Sequence, residues 1–511
     1  MAKIPSDKLH KLIRALTPAE RRYFKIFIRG KTDRASKYLH MFEMLANMEV
    51  YDSNKVRKVI YGEQQEEDSK KYPELKAYLY DLILKALQSF DEQHSLEGKM
   101  TNWLRSVSSL FKRGHYPDCE TLLLKAQRTA DQYELFSWQL DVLRWLRHLA
   151  YTRMDVQYLH DNLDLLDQKE EKAMEQISNL QQYRKTFFRM YTLIRKDAFQ
   201  RDANRVDTLK KMLPGHLFES PDQAKSIRAT IMYYRTINLY YYAIQDIDNF
   251  YESGQKLIQL IENQSFFLEE NQSEYISSLS NLILACGLQN RYDEVRICLK
   301  KLRALTPKTE DDRQKIHRQY YSSMFLLCQF SGEFEMAQQE LARCKEEAEI
   351  LRSRNYETSS FYFQYFYMSF GCNQFEDALH YLNEWLSQPR SVEREDLQSL
   401  ARILSLILHY ELNNLLLLDS LIRSTRRFLK QKNRLYDLEK QFIHLMGDLM
   451  KAPGTEDKKK IIREFEAHWD QIPGTQALTQ IFDLKSWIDA KISEKSFGAI
   501  VREKWEKRIK K

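Results

Sequence analysis

Helix breakers are scarce in this 511-residue chain, with 13 Gly and 10 Pro, or about 2.5% and 2% where about 7% and 5% are usual. The chain therefore has few Gly-rich turns on which to seat a nucleophile, and no Gly-x-Ser-x-Gly elbow occurs. Gly30-Lys31-Thr32 ends like a phosphate-binding P-loop, but Lys25 stands where that loop needs another glycine. The six Cys lie far apart with none in CxxC spacing, and the twelve His include no HExxH. Metal sites, cofactors and catalytic residues are accordingly not expected, and the thiols are expected to be reduced, in the cytoplasm. Apolar runs are short as well. No stretch approaches a membrane-spanning length, and the opening "MAKIPSDKLHKLIRAL" has no apolar h-region.

What is present is core material and charge. The chain holds 30 Tyr and 26 Phe, 43% hydrophobic and 30% charged residues, which is the composition of a folded, helix-dominated protein. The net charge of +7 is uneven: residues 1–60 carry 14 Lys/Arg against 6 Asp/Glu, and residues 485–511 carry 9 against 4. Both ends are basic and the middle is mildly acidic. Such asymmetry marks either solvated termini or contact with an anionic partner.

Self-similarity sets the expected fold. Segments starting at Leu110, Gly287, Cys328 and Gly371 each read as a helix, a short polar turn ending in an aromatic, and a second helix. Gly114-His115-Tyr116, Gly332-Glu333-Phe334 and Asn373-Gln374-Phe375 form the turns. Cys119, Ala337 and Ala378 fill a small slot three residues on, and Leu123, Leu341 and Leu382 a large apolar slot four further. This pattern resembles the tetratricopeptide (TPR) repeat. Weaker copies around Val156, Val206, Phe250 and Leu415 extend the series. Marking the small slot at Cys119, Leu159, Leu209, Ser253, Val295, Ala337, Ala378 and Leu418 gives intervals of 40, 50, 44, 42, 42, 41 and 40 residues. These units are longer than the usual TPR of about 34 residues. The resemblance implies an all-α fold: a right-handed α-α superhelix, a TPR-like solenoid with repeats of about 40–44 residues. It divides the chain into a basic helical N-terminal region (1–98), the repeats (99–432) and a helical C-terminal cap (433–511). The four cysteines Cys119, Cys286, Cys328 and Cys344 then fall on inward slots, as small buried hydrophobes.

Two aromatic clusters stand out, "MYYRTINLYYYAIQDIDNFY" (232–251) and "FYFQYFYMSF" (361–370). The TPR alignment points Phe363, Tyr367 and Phe370 toward a concave groove, with Tyr242 at the matching place in an earlier unit, as anchors for a peptide. The alternative is that the rings pack between helices. The Lys/Asn pairs with which some TPR proteins clamp a terminal carboxylate have no counterpart at the corresponding positions, which include Asn238/Tyr242 and Phe363/Tyr367.

"LTPAERRYFKIF" (16–27) opens with a capping box, Thr17 and Glu20, and Pro18 at the first helical position. Tyr23, Phe24, Phe27 and Ile28 share one arc of this helix, while Arg21, Arg22, Lys25 and Arg29 form a basic stripe beside it. Like charges at i,i+4 repel, so the stripe faces acid side chains, water or phosphate. A helix-turn-helix reading takes Gly30 as the turn and offers Arg34, Lys37 and His40 to bases, yet the second helix is dominated by packing residues such as Tyr38, Phe42 and Leu45. The C-terminal "FGAIVREKWEKRIKK" sets Ile500, Val501, Trp505 and Ile509 on one side, to seal the last unit or to rest on an anionic surface. The expected function is a non-catalytic cytoplasmic scaffold or adaptor that binds a protein or peptide. The alternative is a transcription regulator with an N-terminal DNA-binding segment and a sensor solenoid.

Overall fold

The computed structural model describes residues 7–29, 35–49, 51–62, 71–196, 205–351, 359–387, 395–472 and 481–509. The described residues form α-helices and short 3-10 turns, with no strand among them. Two compact units result, one of residues 1–178 with 307–313, the other of residues 179–306 with 314–511.

The first unit begins with α1 (Lys8–Ala15), α2 (Pro18–Arg29), α3 (Ala35–Asn47), α4 (Ser53–Tyr61) and α5 (Tyr72–His94). Their core gathers Ile13, Phe24, Ile28, Phe42, Leu45 and Leu79. Next come α6 (Leu96–Phe111), α7 (Tyr116–Gln132), α8 (Phe136–Thr152) and the start of α9 (Val156–Lys196), each of the first three packing on its neighbour. The long α9 follows α8 across a turn at Met154, which has positive φ, and so forms the hairpin expected around Val156. It runs unbroken for 41 residues, because its sequence holds neither Gly nor Pro to stop it. Val156, aligned to the aromatic slot, is exposed.

The second unit contains the rest of α9, then α10 (Arg205–Lys211), α11 (Gly215–Phe218), α12 (Ile227–Ile244), α13 (Ile247–Glu262), α14 (Ser265–Glu270), α15 (Gln272–Leu288) and α16 (Tyr292–Ala304). It continues through α17 (Glu310–Ser331) from Gln314 on, α18 (Phe334–Ile350), α19 (Ser359–Gly371), α20 (Phe375–Ser387), α21 (Glu395–Glu411) and α22 (Leu415–Gln431). It ends with α23 (Asp437–Lys451), α24 (Thr455–Ala467), α25 (Leu484–Ser493) and α26 (Phe497–Ile509). Many helices adjacent in sequence pack together, as in α12 on α13, α15 on α16, α19 on α20 and α21 on α22. This arrangement is compatible with a helical-repeat fold.

One device closes these hairpins again and again. A residue with positive φ stands two places before the second helix: Gly114, Gln245, Asn290, Asn373 and Asn413 all do so. The next amide then donates back five residues, as in His115 to Leu110, Arg291 to Cys286, Gln374 to Ser369 and Asn414 to His409. This is the Schellman closure, which satisfies the free carbonyls at a helix end. Its left-handed position tolerates Gly and Asn at least strain. Small-slot residues Cys119, Val295, Ala337, Ala378 and Leu418 are all buried at the facing helices, with Leu123, Leu341 and Leu382 below them. Five of the cysteines are buried and Cys372 is half-buried.

Candidate functional site

The opening helix is held mainly by packing. Thr17 and Glu20 complete the capping box: the Thr17 amide donates to Glu20 Oε2 at 2.7 Å, and the Glu20 amide to Thr17 Oγ1 at 3.3 Å. Phe24 meets Phe42 with ring centroids 4.5 Å apart, and the Tyr23 hydroxyl bonds Ser89 Oγ at 2.8 Å. The basic stripe divides. Lys25 Nζ donates to Glu43 Oε1 at 2.8 Å, and this bond holds the Glu43 carboxyl below its ordinary range. Arg21 donates to the Arg14 carbonyl at 3.0 Å. Arg22 and Arg29 are exposed. Of the helix-turn-helix residues, Gly30 and Arg34 lie outside the described residues, and Lys37 stacks over the Tyr61 ring at 4.1 Å. Met41, Phe42 and Leu45 turn α3 into the core.

The three aromatics assigned to a groove on α19 are in the core. Phe363, Tyr367 and Phe370 are 8%, 2% and 1% exposed, so no ligand reaches them. Phe363 packs on Trp385. Phe482 and Phe497 come back over the helix, with Phe482 5.0 Å from Tyr367 and 5.1 Å from Phe370. The Tyr367 hydroxyl accepts from the Asp483 amide at 3.3 Å. Aromatics surround α19 because the chain's own C-terminal segment covers its second side. In α26, Phe497, Ile500 and Val501 are buried and Trp505 packs on Tyr292. The Ile509 side chain lies outside the described residues.

Tyr242 is placed differently, on the wall of an open cleft of about 510 Å³ between α9, α12, α13 and α15. Phe187, Phe188 and Tyr191 of α9 form the facing wall. Phe188 is 60% exposed and Tyr191 41%. On α9, Tyr183, Met190 and Ile194 make the buried stripe, and 100° per residue sets Phe188 about 140° away from it. Phe187 stacks with Tyr191, centroids 6.0 Å apart, so the wall is a small platform of rings. Its one lining cation is engaged. The Arg235 guanidinium lies over the Phe187 ring at 4.7 Å and pairs with Glu274 at 2.8 Å.

The remaining wall mixes apolar side chains such as Leu239, Leu257 and Leu284 with uncharged polar ones. Asn238 is 1% exposed, donating to the Phe250 carbonyl at 2.8 Å and to Ser253 Oγ at 3.1 Å, which locks α12 onto α13. Ser277 and Ser278 return their hydroxyls to carbonyls of their own helix. Asn281 is exposed and offers a carboxamide to an incoming backbone. Rings on one side, an amide on the other and a neutralised cation can bury apolar side chains and satisfy a peptide bond. The sequence reading did not single out Phe187, Phe188 and Tyr191. The available signal was two bulky rings off the buried stripe of a helix.

A second polar cluster in the same unit ties α16, α17 and α18 together. Arg303 donates to both oxygens of Glu347, at 3.2 and 2.8 Å, and buried His317 sits 3.2 Å from the Cys344 carbonyl. Burial holds the His317 imidazole below its ordinary value, and burial does the same to His409. Each therefore binds a proton more readily when the chain unfolds. Their contribution is intact above about pH 6.5, the unfolded value, and is lost as pH falls below it. Burial works to raise Glu347, but bonds from Arg303 and Tyr321 prevail and hold it below the usual carboxylate range. Its loss comes in a separate window, below about pH 4.5. The urea midpoint should drop between pH 7.5 and 5.5, and drop less in His317→Gln. Equal drops in both proteins would exclude this assignment.

Among the described residues, no group of three or more His, Cys, Asp or Glu is placed to hold a metal ion, and no helix is long and apolar enough to cross a membrane. No protein-family model, no curated protein and no solved structure matches the chain.

Proposed function

We propose that the protein is a non-catalytic cytoplasmic adaptor, its hairpins TPR-like repeats of a solenoid, that binds a peptide segment of another protein in the cleft between α9, α12, α13 and α15. The observation that carries this reading is the exposed ring platform Phe188–Tyr191 facing Tyr242 across a cleft with no free cation. Large apolar area at small entropy cost is what a peptide anchor needs. An uncharged wall favours an aliphatic or aromatic side chain with its flanking amides over an anion. The hairpin closure at positions 290, 332, 373 and 413, steps of about 40 residues, supports the repeat reading.

Selection of a random peptide library on the full chain tests it. Enriched peptides should share one or two large apolar residues and no required acidic residue. Their affinity should fall about 30-fold in Phe188→Ala or Tyr191→Ala, the ~2 kcal/mol of a hot-spot aromatic. Enrichment of acidic peptides, or affinity indifferent to both substitutions, would remove the function from this cleft.

A further inference from the structure

The other strongly patterned surface of the second unit is on α22, far from the cleft in sequence and unrelated to the peptide reading. Between Ser420 and Tyr436 the chain carries six Lys/Arg and no acidic residue. Arg423, Arg426, Arg427 and Lys430 are all exposed, and the spacing i, i+3, i+4, i+7 sets them within an arc of about 100°. The other side of the helix is fixed to the core by Leu418, Thr425 and Leu429, so the stripe is presented on a rigid element. Asp419 pairs with Arg423 at 2.5 Å. Cations in the last turn of a helix are favoured by its dipole, which accounts for Lys430 alone. Asp419 balances Arg423, but Arg426 and Arg427 repel Lys430 at i,i+4 and i,i+3, which an anionic counter-surface would relieve.

The same helix begins with two large apolar side chains in water: Leu416 is 97% exposed and Leu417 56%. At 100° per residue Leu416 points along the same face as the cations. Phosphates of a nucleic-acid backbone would pair with the stripe but leave Leu416 in water. A lipid surface accommodates both, headgroups taking the cations and the acyl boundary taking Leu416. We propose that α22 docks the protein on an anionic lipid surface, with Arg423, Arg426, Arg427 and Lys430 on the headgroups and Leu416 inserted beneath them.

Co-sedimentation of the full chain with vesicles tests this. Phosphatidylcholine alone should bind weakly, and phosphatidylserine as about a third of the lipid should bind strongly and be reversed by salt. Each neutralised cation should cost about fivefold in partition, so Arg426→Gln with Arg427→Gln together should cost about 25-fold. Leu416→Ser should cost roughly tenfold. These side chains are exposed, so an unchanged circular dichroism spectrum shows that the fold survives. Equal partition to both vesicle types, or a Leu416→Ser protein that binds as well as wild type, would overturn the proposal. So would binding of a DNA duplex through the same arginines without partition to phosphatidylserine vesicles, which would assign the stripe to nucleic acid. Loss of peptide binding at Phe188 leaves this result unaffected, since the two sites share no residue.

Discussion

Phe482→Ala should destabilise the unit built from residues 179–306 and 314–511 by about 3–5 kcal/mol, the range for a buried aromatic reduced to a methyl group. Phe482 is fully buried. Its ring stands 5.8, 5.0 and 5.1 Å from Phe366, Tyr367 and Phe370 of α19, and stacks on Phe497 at 5.5 Å. Three rings of one helix and the first residue of another would lose their common partner. The loss should read out as a lower urea midpoint at unchanged m-value. A shift worth less than about 1 kcal/mol would mean that the C-terminal segment does not cover α19.

The second large effect comes from adding an atom. A Cβ on Gly371 would lie 2.2 Å from Phe334 Cδ1 and 2.3 Å from Cγ. The Phe334 ring is 1% exposed and is flanked by Tyr367 and Phe497, so it has nowhere to go. Across the same contact, a Cβ on Gly498 would meet the Gly371 carbonyl at 2.9 Å. The two glycines allow α19 and α26 to touch backbone to backbone. Gly371→Ala should therefore cost about 1–3 kcal/mol or more through overpacking. Gly447→Ala, in α23, is the matched control: a Cβ there meets nothing within 4 Å. Helix propensity then predicts a gain of up to about 1 kcal/mol. Opposite signs for the two substitutions are the expected result by thermal or urea unfolding, and equal signs would contradict the close approach.

The parts of this molecule that were legible in the sequence are those governed by local rules. Thr17 and Glu20 cap a helix three residues apart whatever lies beyond them. Ala337 and Ala378 are small because the hairpin that they belong to closes around them, and Asn373 sits where only a left-handed residue continues the chain. The all-helical content follows from the same kind of evidence. What was illegible is long-range. Whether Tyr367 faces a ligand or a neighbour depends on Phe482 and Asp483, more than a hundred residues later, and no periodicity carries that information. Repeat alignment put a turn just before Val156, where α9 begins, but carried no information on how far that helix runs. Phe188 and Tyr191 went unnoticed because their importance comes from the open space left beside them by α12 and α15. Lys25 illustrates an intermediate case: the stripe was visible, and its partner Glu43 lay on the next helix, at a spacing that only the fold determines.

The central claim is that the α9–α12–α15 cleft is the binding site. Hydrogen–deuterium exchange of the full chain, with and without a library-selected peptide, tests it most directly. Peptide binding in the cleft should add protection to amides in 187–194 of α9 and 235–242 of α12, and Phe188→Ala should abolish it. Protection confined to other helices, or unchanged by that substitution, would contradict it.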